Sequence, residues 1–435
     1  MRLRIAVLAS ALTAFVVIAA PGTVSAAPHH NRGLTINATP RSIIAGEAVL
    51  IYGQLNKTPV GGQTIVLYHH INGSHSGYTQ IGTTTTGSTG FYEFTRAEGI
   101  VVSNRSWFVR EGGIHGVHSR TVYEHVAALI SITASTSAAD TNHPVLFTGH
   151  VYPNHAGDRV FLQEQAGLTG DDWKTLKSGR LGPESNYSIP YRFRVPGSYD
   201  LRVSFRGDRR NTAAASDSVS VIVQQTEKPG FTINTSAPII KEGSSATISG
   251  ILDVAATTTG EPSVNVTLLD RQDPFIASHK YQPIDHAITG MGGSYSFKVT
   301  PVHNTEYLVE TTFTPPKHRF TAVLFEGVRD VVSISASSPT STVGKSVTFT
   351  GTVDPDKAGH GIELQRLGTD GDYHTVASGF VNASSAYKFV WTFGTEGTKT
   401  FRVHVPGGPE NVGGVSPAVA ITVSLPALTL LAPAS

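Results

Sequence analysis

The thirteen residues from Val145 to Gly157, VLFTGHVYPNHAG, return as VTFTGTVDPDKAG from Val347 to Gly359. A chain that writes one stretch twice must fold it twice, so this repeat constrains the architecture before any other feature. Val145, Phe147, Gly149, Val151 and Pro153 recur 202 positions later as Val347, Phe349, Gly351, Val353 and Pro355. The offset drops to 200 after a shortened loop. It then holds for Gly179/Gly379, Tyr187/Tyr387, Phe193/Phe393, Arg202/Arg402 and Val223/Val423. The remaining halves match each other as well. GEAVLIYGQL around Gly46 aligns with GSSATISGIL around Gly243, and NRSWFVR from Asn104 aligns with NTEYLVE from Asn304. The order is therefore A-B-A′-B′, a two-domain unit present twice.

Within a copy the hydrophobic period is two. Val347, Phe349 and Val353 alternate with Thr348, Thr350 and Thr352, while Tyr199, Leu201, Val203 and Phe205 alternate with Asp200, Arg202, Ser204 and Arg206. Strict alternation predicts strands with one dry and one wet face. Clusters such as YPNHAGD and LGPESN supply the turns between them. About seven such strands per copy is the rhythm of an immunoglobulin-like sandwich. The expected fold is all-β, with four tandem sandwiches at 27–127 (A), 128–223 (B), 231–329 (A′) and 330–424 (B′). The polar, Pro-Gly-ending stretch 224–230 reads as a linker and hinge. The A-to-B passage Glu124–Ala134 and its copy Glu326–Ala336 contain no Pro and read as stiff.

The Gly after "FT", the "AG" before the next strand and the late VPGSYDLRV and GTEGTKTFRV segments resemble the Ig-like domain repeats of bacterial secreted and cell-surface proteins. The resemblance implies extracellular work as a spacer or adhesion module, without catalysis. Antibody-type recognition is not implied, because the chain has no cysteine and so lacks the inter-sheet disulfide.

The first 26 residues read as a signal peptide, with Arg2 and Arg4 ahead of the apolar Ile5–Ala20 run and Val24-Ser25-Ala26 at the cleavage point. The end, 425–435, reads as a short tail without a wall-sorting motif. Secretion follows, with no stable membrane insertion after cleavage. Without Arg2 and Arg4, 33 − 2 = 31 basic side chains face 32 acidic ones. That balance offers no phosphate-neutralising stripe, so nucleic acid is not an expected partner. An extracellular protein or polysaccharide is.

No cofactor, metal or catalytic residue is expected, since nucleophile elbows, zinc helices and phosphate loops are missing. A hydrolase with an unrecognised site is a distant third reading. Five residues are possible ligand contacts. Trp173 and Tyr373 follow acidic turns at the same place in their copies, and exposed rings there would suit the runner-up reading, carbohydrate binding. Arg206-Gly207-Asp208 sits on a late loop where such a triplet can be displayed, although a plain turn explains it too. Weak metal fragments are Glu111 with His115 and His118, Asp354 with Asp356, and Asp370 with Asp372. Asn-x-Ser/Thr triplets recur, Asn104 among them.

Overall fold

The computed structural model describes residues 33–95, 101–113, 116–166, 172–253, 260–272, 280–314, 317–369 and 371–425. The expected leader, nearly all of the expected tail, His115 and Asp370 lie outside them. Each copy is a two-layer sandwich. In B, Thr133–Ala134, Pro144–Tyr152 and Asn186–Arg192 form one sheet. Facing it, Ala138–Asp140, Val219–Gln224, Gly197–Phe205, Arg159–Gln165 and Trp173–Arg180 lie side by side in that order. The other three domains repeat the layout. In all four, a short strand near the start pairs parallel with the last: Ser42 with His125, Ala138 with Ile222, Ile239 with Gly327, Thr340 with Thr422. The architecture is all-β and Ig-like.

The alternation read from sequence sets which side chains enter the core. Val347 and Phe349 are buried with Ile362, Leu364, Phe401, Val403 and Ile421, whereas Thr350 is exposed. Tyr187, Ile189 and Phe193 face the B core, and Tyr387, Phe389 and Phe393 face that of B′.

The glycine of the opening motif has a definite task in all four domains. A Cβ on Gly53, Gly149, Gly250 or Gly351 would stand 2.0 to 2.1 Å from the carbonyl oxygen of Thr35, Ser131, Thr232 or Ser333. It would also meet the hydroxyl of Tyr92, Tyr187, Tyr295 or Tyr387. Each of those hydroxyls donates to that same carbonyl, at 2.5 Å for Tyr187 and Tyr387. Only a residue without a side chain lets the first strand approach closely enough for the tyrosine to tie it down. Burial raises the pKa of all four phenols, so the donor proton stays in place.

The domains also touch out of sequence order. The stretch read as a hinge is anchored on A′. The Gln224 side chain accepts from Phe325 N (2.8 Å) and donates to Phe325 O (2.7 Å). Gln225 Oε1 accepts from Val323 N, and Lys228 Nζ donates to Thr321 O. Ile222 of B, Phe325 of A′ and Val412 of B′ pack into one small cluster where three domains meet. The amide side chains that make this segment look like a solvated linker instead find backbone partners across the junction.

Replacing Phe349 with Ala should cost about 3–5 kcal/mol, because the side chain is fully buried, whereas Thr350→Ala should cost less than about 1 kcal/mol. Trp391, the tryptophan of B′, reports the transition when Trp107 and Trp173 are replaced by Phe. Equal urea midpoints for the two variants would refute the strand phase.

Candidate functional site at the domain seams

Where A runs directly into B, the backbone groups of the junction need partners that neither sheet supplies. Two asparagines supply them. Asn104 Oδ1 accepts from Val126 N (2.7 Å), and its backbone N–H donates to Arg210 O (2.6 Å). Asn211 Nδ2 donates to Val102 O (2.9 Å) and Val126 O (3.2 Å). The second unit repeats this. Asn304 Oδ1 accepts from Val328 N (2.8 Å), and Asn411 Nδ2 donates to Val302 O (3.0 Å) and Val328 O (3.1 Å). An amide can donate and accept at once, which is why asparagine fits. Asn104 is buried in this role, away from the solvent its Asn-x-Ser context would suggest.

Behind each joint asparagine lies a buried base. Arginine can only donate, so the Arg210 contact to His155 Nδ1 (2.9 Å) leaves Nε2 to donate to Asn211 Oδ1 (3.2 Å). In the copy, Lys357 Nζ donates to Asn411 Oδ1 (3.0 Å) and to Glu410 (3.2 Å). It also lies 3.7 Å from Asp330, whose carboxyl burial pushes up to about 7 against the pull of that ammonium. Charge signs are exchanged between the copies, Arg210 against Glu410, while the asparagines are kept.

A third seam joins B to B′. Asp217 of B accepts from Arg402 (2.5 Å) and Gln365 of B′. Asp200 of B accepts from Ser218 (2.9 Å), Ser220 (2.6 Å) and Gly407 N of B′ (2.8 Å). His404 of B′ lies between Ser218 Oγ (3.3 Å), Glu363 (3.0 Å) and Asp217 (3.8 Å). Burial opposes the imidazolium. The Glu363 hydrogen bond and the charges of Asp217, Glu363 and Asp200 outweigh it and hold the pKa near about 9. Glu363 is correspondingly lowered, the His404 bond overcoming burial. A also reaches B′: Glu47 pairs with Arg366, and Leu50 packs on the B′ core. Cavities of about 240, 180 and 240 Å³ open along these seams, and His374 lines all three.

The residues singled out from sequence fall around this framework. Asp208 is engaged at the A–B joint. It accepts from Arg210 N (2.7 Å) and Asn211 N (2.9 Å) and pairs with Arg210 Nε (3.2 Å). Burial works against its charge, yet those N–H groups keep its carboxyl below the usual range. Gly207 has φ +82, and a Cβ there would lie 2.5 Å from Ala213 N. The Arg206 guanidinium lies over the Phe161 ring at 4.3 Å. Trp173 and Tyr373 are half-buried, each with one ring face covered: Arg202 stands 4.0 Å from one centroid and Arg402 4.1 Å from the other. Tyr373 also lines the 180 Å³ cavity with Asp217 and Arg402. Asp356 closes a turn by accepting from Ala358 N (3.0 Å).

Two groupings absent from the sequence reading place three side chains together: His155, Asp158 and Asp208, and Asp217, Glu363 and His404. In each an arginine, Arg210 or Arg402, already supplies positive charge. The joint asparagines were missed although the internal alignment carries them, since Asn104/Asn304 and Asn211/Asn411 both keep the 200-residue offset.

No family model matches the chain. No curated protein matches it either. Among solved structures it resembles a tetra-tandem repeat from the extending region of a large adhesion protein, with 14% identity, 90% of this chain, 99% of that one and TM-score 0.27. It also resembles invasin, a bacterial integrin-binding protein, with 12% identity, 90% and 79% coverage and TM-score 0.23. The D1–D4 ectodomain fragment of ICAM-5 matches with 11% identity, 90% and 99% coverage and TM-score 0.24. At such TM-scores none of these bears on function. Among the described residues no helix is long and apolar enough to cross a membrane.

Asn211→Ala should take the amide donor from Val102 O and one of two donors from Val126 O, which keeps Thr212 N, and destabilise the A–B joint by about 1–3 kcal/mol, with Asn411→Ala doing the same in the second unit. Limited proteolysis should then cut near Ala128 or Asp330; unchanged resistance would deny the amides this role. The B–B′ seam should also depend on pH. An imidazolium whose pKa is raised stabilises fully below its ordinary 6.5 and fades as pH passes about 9. Scattering at pH 7 and pH 10 should show the chain expanding, and His404→Gln should reduce that difference.

Proposed function

We propose that the chain is a non-catalytic, extracellular Ig-like module that works in adhesion as a braced body rather than as an extended spacer. The observation that carries this reading is the B–B′ seam. A rod of tandem sandwiches keeps its first and second B domains apart, whereas here Asp200 and Asp217 are satisfied by the other copy. Charge-assisted hydrogen bonds of this kind fix the geometry of the contact between the copies. A body held on itself presents a fixed outer surface, which suits attachment to an extracellular protein or polysaccharide better than spanning a distance does. The covered ring faces of Trp173 and Tyr373 weigh against sugar stacking as the mode of attachment.

Scattering tests the body. Four sandwiches of about 30 Å laid end to end make a rod of about 120 Å, with a radius of gyration near about 35 Å. A compact chain of this length has about 22 Å. The native chain should lie nearer the compact value, and Asp217→Ala/Arg402→Ala should move it toward the rod. A rod-like native chain would remove the reading. For the adhesive role, beads coated with the chain should attach to the extracellular matrix of the producing cells above an albumin control. Attachment no greater than the control would count against adhesion.

A further inference from the structure

Glu124 and Glu326 occupy equivalent places, on the last strands of A and A′, Val122–Ala127 and Leu324–Arg329. Both side chains are fully buried; neither carboxyl oxygen of Glu124 has a hydrogen-bond partner, and Glu326 is approached by the Thr235 hydroxyl without a well-formed bond. Each lies two residues before the valine clamped by the joint asparagine, Val126 by Asn104 and Val328 by Asn304. We infer that these two glutamates are proton-operated elements of the joints, neutral while each A–B unit is locked and loosening it when they ionise.

The surroundings favour the neutral acid. Arg105, opposite Glu124 in the sheet register, spends donors on Ser103 O (3.1 Å) and His69 Nδ1 (3.2 Å). The other charge acting on Glu124 is Glu47, itself paired with Arg366. In A′ the register position of Arg105 is held by Thr305. Thr235, near Glu326, donates its hydroxyl proton to Ala237 O (3.1 Å), and Tyr307 is a titratable neighbour. Burial dominates in both cases. It pushes Glu124 up to about 8, Arg105 offsetting and Glu47 adding, and Glu326 up to about 7, Thr235 offsetting.

The sign follows from linkage. A carboxyl raised in the fold binds its proton more tightly there than in the unfolded chain. Stability is therefore greatest below the ordinary carboxyl range and falls as pH climbs from about 4.5 toward 8. Asp330 at the second joint acts in the same sense. Asp208 and Glu363, which are lowered, act in the opposite sense and in more acid solution. The joints are thus tightest in mildly acidic surroundings.

The test uses the full chain and Glu124→Gln/Glu326→Gln, in which an amide stands for the protonated acid. The native melting temperature should drop by at least about 5 °C between pH 5 and pH 8. The double variant should match the native chain at pH 5 and exceed it at pH 8. Cleavage near Ala128 should accelerate with pH in the native chain and not in the double variant, by up to about tenfold per pH unit past the midpoint, while Asp330 keeps part of the acceleration at the second joint in both. A native melt that is flat with pH, or a variant keeping the whole slope, overturns the inference. If the double variant does not fold, infrared spectra of the native chain and the single variants decide. A protonated-carboxyl band that is larger in the native chain than in either single variant, Glu124→Gln or Glu326→Gln, at pH 6 and is lost by pH 9 supports the assignment, and a band no larger than the one Asp330 alone contributes overturns it.

Discussion

A strand that leaves one sandwich and enters the next must have its backbone polar groups satisfied on the way, and in this chain one amide side chain on each flank of the junction does so. Asn104 and Asn211 hold the first joint, and Asn304 and Asn411 the second. The charged groups behind the asparagines are negotiable between copies. The base behind the asparagine is His155 in one and Lys357 in the other, and Arg210 faces Glu410 across the repeat. Backbone geometry is common to both units, so its partner is common. Side-chain charge has only to balance locally, and either sign arrangement does that.

Fixed joints set the direction in which each B domain points, and the contact between B and B′ then uses several residues that the two copies do not share. Asp217 stands where the other copy has Pro417, His404 where it has Ser204, Glu363 where it has Phe161, and Asp200 where it has Thr400. Arg202 and Arg402 show the change most directly. Each lies over the aromatic ring of its own domain, but Arg402 pairs with Asp217 of the other copy while Arg202 acts on Glu363. The two halves of the seam therefore differ: B brings Asp200 and Asp217, and B′ brings Arg402, His404 and Glu363.

Much of the fold was legible because alternation is a local property. A period of two settles which side chains of Pro144–Tyr152 or Ser346–Asp354 turn inward, and the structure keeps that phase at Phe147 and Phe349. The repeated glycine was legible as a motif; its purpose was not, because the tyrosine it admits lies about 40 residues further on. The segment from Gln224 to Gly230 shows the opposite case. Glutamine and lysine are read as solvated in a short polar stretch, yet their donors and acceptors serve the A′ backbone equally well. Asp208 was legible as a turn former, but its place in the A–B joint depends on His155, some 50 residues away.

The amino-acid sequence by itself determined that there are two copies of a two-domain unit, that every domain is a sandwich, and which faces are dry, since repetition and alternation need no partner to be recognised. Only the tertiary structure decided how the domains stand on one another. The polar contacts among them join residues from 83 to 319 positions apart, each satisfying a group that looks solvated when read along the chain. Burial, and with it the ionisation of Glu124, Glu326 and His404, is a property of that arrangement and not of the residues alone.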